Sequence, residues 1–146
     1  MKHCFLIGHH DAPPALYPYV FEAVERHITR YAVDHFMAGS VHYFDSMACN
    51  ALREAKKKYP NITIEVMMPY SPCIIFPEVP EGFDGIYFPE RLEIVADVLR
   101  LTEANRKAVE RSDYVIAYMQ KESGRTVSAV EFALSYEKTV TFLPQV

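Results

Sequence analysis

Apolar and polar positions along this chain follow two alternating rhythms. Lys2 to Ile7 form a short apolar run that stops at Gly8, and after a turn holding Pro13 and Pro14 the spacing becomes helical from about Ala15 to Tyr31. The same strand, turn and helix cycle returns at His35-Phe36-Met37-Ala38, which ends at Gly39. A helix follows from about Tyr43 to Lys58, with Met47, Ala48, Ala51, Leu52 and Ala55 at helical spacing. Pro60-Asn61 breaks that helix. Ile62 to Met68 then reads as a strand covered on both faces, stopped by Pro69.

Tyr70 to Pro89 is different. Its prolines and glycines lie among apolar side chains, so the stretch cannot hold a regular helix and reads as a structured excursion. A helix interrupted in its middle is expected from about Arg91 to Arg111, then a strand at Asp113 to Tyr118, a helix at about Thr126 to Glu137 and a last strand at Thr139 to Leu143. Strands alternating with helices imply right-handed crossovers. The expected architecture is therefore an α/β, three-layer Rossmann-like fold with a five-stranded, mostly parallel sheet, residues 1–146 forming a single domain.

Composition supports one well-packed core: of 146 residues 50% are hydrophobic, and 10 Tyr and 9 Phe supply bulk. The formal net charge of -4 offers no broad positive field, so nucleic acid is not expected as a partner. The one basic run, Lys56-Lys57-Lys58, closes a helix, where cations suit the dipole. Cys4, Cys49 and Cys73 are widely spaced and form no C-x-x-C pair, which fits reduced thiols in a cytoplasmic protein. No stretch is apolar enough to span a membrane. Six histidines without tight pairing argue against a metal site, and nothing calls for a bound cofactor.

Ligands of open parallel sheets settle beyond the carboxyl ends of the strands. Gly8-His9-His10-Asp11, Gly39-Ser40-Val41-His42, Pro69-Tyr70-Ser71 and Met119 to Thr126 should end there. Gly8, Gly39 and Gly124 fall in these turns, where a missing side chain permits positive φ and close approach of a ligand to the backbone. Gly124-Arg125-Thr126 opens a helix whose free N–H groups, together with the Thr126 hydroxyl and the Arg125 guanidinium, suit a phosphate. His9 and His10 are candidate phosphate donors or general acids. Asp45 either serves the dipole of its helix or accepts from ribose hydroxyls. Glu131 should share a polar stripe with Ser128 and Ser135, opposite Val127, Val130 and Leu134, and there would polarise water or steady positive charge at a sugar carbon.

In order along the chain, several stretches resemble one family. They are Cys4-Phe5-Leu6-Ile7-Gly8-His9-His10, Gly39 with Phe44-Asp45, Tyr59-Pro60-Asn61-Ile62 with Pro69-Tyr70, Asn105, Ser112 to Tyr118, and Gly124 with Glu131-Phe132-Ala133. The family is the SLOG superfamily of Rossmann-like nucleotide-binding domains, related to DprA and the Lonely-guy phosphoribohydrolases, and in particular its short bacterial members of unknown function. The resemblance implies ligand contacts at Gly8, His9, His10, Gly39, Ser40, Asp45, Asn105, Gly124, Arg125 and Thr126, with Glu131 central to any catalysis. His10 stands where the family has arginine, Ala104 replaces the arginine before the asparagine, and Arg125 replaces a second glycine. The expected function is binding or sensing of a nucleotide or nucleotide-derived small ligand. Two alternatives stay open: N-glycosidic hydrolysis or transfer on nucleoside monophosphates, and a protein-interaction role in which the 70–89 excursion forms a homodimer contact.

Overall fold

The computed structural model describes residues 1–69 and 78–146. In chain order these form β1 (His3–Gly8), a 3-10 turn (Pro14–Leu16), α1 (Tyr17–Tyr31), β2 (His35–Ala38), α2 (Tyr43–Lys58), β3 (Thr63–Met67) and β4 (Gly85–Tyr87). A second 3-10 turn (Leu92–Ile94) then precedes α3 (Asp97–Arg111), β5 (Tyr114–Tyr118), α4 (Arg125–Ser135) and β6 (Thr139–Phe142). The strands lie in the order β4-β3-β2-β1-β5-β6, and every pairing is parallel.

The sheet has six strands where five were expected. The extra one, β4, comes from the proline-rich excursion and pairs Gly85, Ile86 and Tyr87 with Glu65, Val66 and Met67. Prolines at 80 and 89 confine it to a three-residue edge strand, too short to leave a periodic signature. Residues 70–77, which hold the first part of the excursion and of the expected homodimer segment as well as Tyr70 and Ser71 of the expected turn, lie outside the described residues.

Each central strand is apolar at nearly every position because both its faces are covered. On one face Leu6, Phe36, Ile64 and Ile116 meet α1 and α2 through Val20, Val24, Phe44, Ala48 and Leu52. On the other Phe5, Met37, Met67 and Val115 meet α3 and α4 through Ala104, Ala108, Ala129 and Ala133. Small alanines let α3 and α4 sit close to the sheet. The buried face of α4 is Thr126, Ala129, Val130 and Ala133, whereas Leu134, expected inward, is exposed.

Two glycines set how α2 meets the strand ends. A Cβ on Gly8 would lie 2.6 Å from the Phe44 ring, and one on Gly39 would lie 2.7 Å from the Asp45 carboxylate. Neither has the positive φ expected of it; of the three turn glycines only Gly124 does, at 112°. Gly8 and Gly39 therefore make room for α2, and the closely approaching group is a side chain of the protein itself.

Candidate functional site

The chain runs from β1 outward through β2 and β3 and then returns to β5 on the other flank of β1, so the switch point of the sheet lies between β1 and β5. The loops leaving these two strands diverge there, and His9 ties them together. Its backbone N–H donates to Tyr118 O at 3.1 Å, and its ring Nδ1 accepts from the Gln120 N–H at 2.8 Å. Nδ1 being an acceptor, the ring proton sits on Nε2, which donates to Ser123 O at 3.3 Å. Buried and engaged at both nitrogens, His9 is a clasp for the β5–α4 loop. These contacts describe a structural role beside the expected one of phosphate donor or general acid.

A pocket of about 20 Å³ opens beside the clasp. Gly8, Gly39, Ser40, Asp45, Asn105, Arg125 and Thr126 line it, as does His42; Phe5, Ile7, Met67 and Leu101 form the apolar part. His9, His10, Gly124 and Glu131 are not among the lining residues. Glu131 is exposed farther along α4, and the His10 ring lies 5.8 Å from that of His42. A space of this size holds about one water molecule.

The lining groups differ in how far they are already committed. Asp45 Oδ2 accepts from the Val41 and His42 N–H groups, each at 3.0 Å, and so closes the turn that starts α2. Burial holds this carboxyl above its usual range, while those two hydrogen bonds act the other way. Of its two expected roles, the structural one is the one these contacts describe. The Ser40 hydroxyl donates to Met67 O at 3.0 Å. Asn105 and Thr126, 7% and 5% exposed, make no side-chain hydrogen bond among the described residues. Among the described residues no fully buried side-chain polar atom is without a partner, and both Asn105 and Thr126 line the pocket. Arg125, exposed at the first position of α4, forms no ion pair among the described residues. Asn105 was read from the sequence only through resemblance; its buried, unengaged amide is a property of packing between α3 and the sheet.

Among the described residues no group of three His, Cys, Asp or Glu side chains is placed to hold a metal ion. Cys4 and Cys49 are buried free thiols, and burial pushes Cys49 up to about 12. No helix among the described residues is long and apolar enough to cross a membrane.

Sheet order, crossovers and the switch-point cleft define a Rossmann-like fold. More particularly, it is DprA-like. The chain is similar to DNA processing protein A from Helicobacter pylori, described for its unique single-stranded DNA binding mode, with a TM-score of 0.67 and 21% identity over 99% of this chain and 66% of that one. It is also similar to DNA processing protein A from Streptococcus pneumoniae, with a TM-score of 0.71 and 13% identity over 100% of this chain and 51% of that one. The chain thus spans about two-thirds and about half of these neighbours. No protein-family profile matches the sequence, and no curated protein matches it.

These neighbours correct two expectations. Nucleic acid was set aside on net charge, yet the fold recurs in a protein described as binding single-stranded DNA. Net charge averages over the whole surface, whereas a strand meets only the local field at its contacts. The expected small nucleotide-derived ligand, with the N-glycosidic alternative built on Glu131, is overturned by the same neighbours. Glu131 is absent from the lining of the switch-point pocket.

Proposed function

We propose that this chain binds single-stranded nucleic acid across the carboxyl end of its sheet, with Arg125 meeting a backbone phosphate at the mouth of the switch-point pocket. One observation carries the reading. Arg125, Asn105 and Thr126 line a single opening, and none of their side chains has a partner among the described residues. A phosphate of an extended strand can lie across such a mouth, its oxygens taking hydrogen bonds from the guanidinium, the Thr126 hydroxyl and the Asn105 amide. The DprA-like fold and the order of the sequence motifs support placing the chain in the SLOG superfamily, and its reduced thiols support a cytoplasmic location.

The test is fluorescence anisotropy at low salt with a labelled oligothymidylate, using unlabelled single strand, duplex and thymidine monophosphate as competitors. The single strand should compete well and the mononucleotide poorly. Arg125→Ala should weaken binding about tenfold to a hundredfold, the range for hydrogen bonds to a charged group. Few phosphates are contacted, so log K should fall with log salt with a slope of only about one, at roughly 0.7 per phosphate. No binding at low salt, or equal competition by the mononucleotide, would overturn the reading.

A further inference from the structure

A second cleft, of about 170 Å³, opens between the start of α1 and the start of α2, at the same end of the sheet. Tyr17, Tyr43, Pro14 and Met47 line it with apolar surface, and Ser46 and Asn50 add polar groups. The Tyr17 hydroxyl donates to Glu54, which holds its ring in place. The Asn50 side-chain oxygen accepts from Arg53 Nη1 at 3.0 Å, leaving its NH2 group to donate. Tyr43 is 53% exposed, a large ring left facing water. It directly follows His42, which lines the Arg125 pocket and whose ring lies near that of His10. The two openings are therefore adjacent, one cationic and one aromatic.

We infer that this second cleft is a base slot, in which a nucleobase of the single strand stacks on Tyr43 while Asn50 and Ser46 reach its polar edge. The inference rests on the proposed binding of single-stranded nucleic acid and adds the subsite that the first pocket lacks. Single-strand binders pair backbone contacts with aromatic platforms, because every base offers a π-face whatever its sequence. Here the planar ring finds room beside Tyr43, and the phosphate finds Arg125. Asn50 and Ser46 can donate to the carbonyl oxygens of a pyrimidine or to the ring nitrogens of a purine.

The experiment compares a short oligothymidylate with an abasic strand of the same length, by anisotropy, for wild type, Tyr43→Ala, Tyr43→Phe and Arg125→Ala, the fold of each variant being checked by circular dichroism. Wild type should prefer the base-bearing strand at least about fivefold, the lower bound for one stacked base. Tyr43→Ala should lose that preference while holding the abasic strand as wild type does, Tyr43→Phe should keep it, and Arg125→Ala should weaken both strands. A 2-aminopurine strand should be quenched by wild type and by Tyr43→Phe but not by Tyr43→Ala. Equal affinity of wild type for both strands, or a preference that survives in Tyr43→Ala, would remove the slot and leave the phosphate contact standing. Failure of wild type to bind either strand would overturn both.

Discussion

Two places in the sheet treat their polar groups differently. At the amino end a set of them is answered: the Lys2 N–H donates to Asp34 and the His3 N–H to Asp113, each at 3.0 Å. Lys56 pairs with Asp84 at 3.2 Å, and Asp84 in turn accepts from the Ile64 N–H. His35 pairs with Glu65, Arg111 lies 3.6 Å from the same carboxylate, and its guanidinium covers the Tyr87 ring. At the mouth of the switch-point pocket Arg125, Asn105 and Thr126 have no such partners among the described residues, although elsewhere at the carboxyl end Arg100 pairs with Asp97 at 2.9 Å and Lys121 with Asp11 at 3.8 Å. Polar groups left unengaged at one mouth are free to meet a partner, which is what the proposed function asks of them.

The largest effect should come from cutting the amino-end network at its hub. Glu65→Ala leaves a well-covered His35 without its partner beside a partly exposed Arg111, and urea denaturation should show a loss of about 1 to 2 kcal/mol. A loss below about 0.5 kcal/mol would mean that the network is solvated and the contrast between the ends false. Next comes the clasp. His9→Ala removes the part-buried bond from the Gln120 N–H and should cost about 1 kcal/mol, with faster amide exchange at 119–124. Unchanged exchange there would show that the loop holds its shape without the ring.

The pH response should be smaller and should divide along the same line. Burial lowers the pKa of His27 and His3 below the ordinary 6.5, for His3 with help from the neighbouring His35 and Arg111. Just below pH 6.5 the unfolded chain then binds more protons than the folded one, so stability falls as pH drops from about 7 toward the lowered folded values and levels off beneath them. Asp45 acts in the opposite sense: its pKa is raised above 3.8, so in the interval above 3.8 the folded chain holds the extra proton and gains stability as pH falls. Urea titrations at neutral and mildly acidic pH should therefore show stability declining first, and His27→Leu should flatten that decline. The smallest effect is expected at the carboxyl end itself. Arg125→Ala should leave stability within about 0.5 kcal/mol of wild type while binding collapses, a split that a structural arginine would not show.

The bounds of β2 and α2 were readable in the sequence because their apolar spacing is regular and glycine, histidine and proline punctuate it. β4 was not, since a three-residue edge strand among prolines carries no periodicity. Which residues come together was readable in part: Gly39, Asn105 and Arg125 line one pocket at the strand ends, whereas His9, His10, Gly124 and Glu131 stay outside its lining. Their roles were harder to read. Gly8 and Gly39 look the same in sequence whether a ligand or a neighbouring helix approaches them, and only packing shows that Phe44 and Asp45 take the space. Glu131 failed for a related reason: one turn of α4 decides whether a side chain faces the cleft or the solvent, and helical spacing alone does not say where that turn begins relative to the sheet.

The position of β1 has a consequence for how the chain is made. Its left neighbour, β2, follows within one helix, but its right neighbour, β5, pairs Gly8 with Tyr118 and must wait for most of the chain to be synthesised. A nascent chain can assemble β1, β2 and β3 early while the other edge of β1 stays open, with apolar side chains and unpaired backbone ready to join any strand that arrives. Emergence of β5 through Tyr118 is thus the step that covers the open edge of β1 and forms the switch point, and β6 completes the sheet after it.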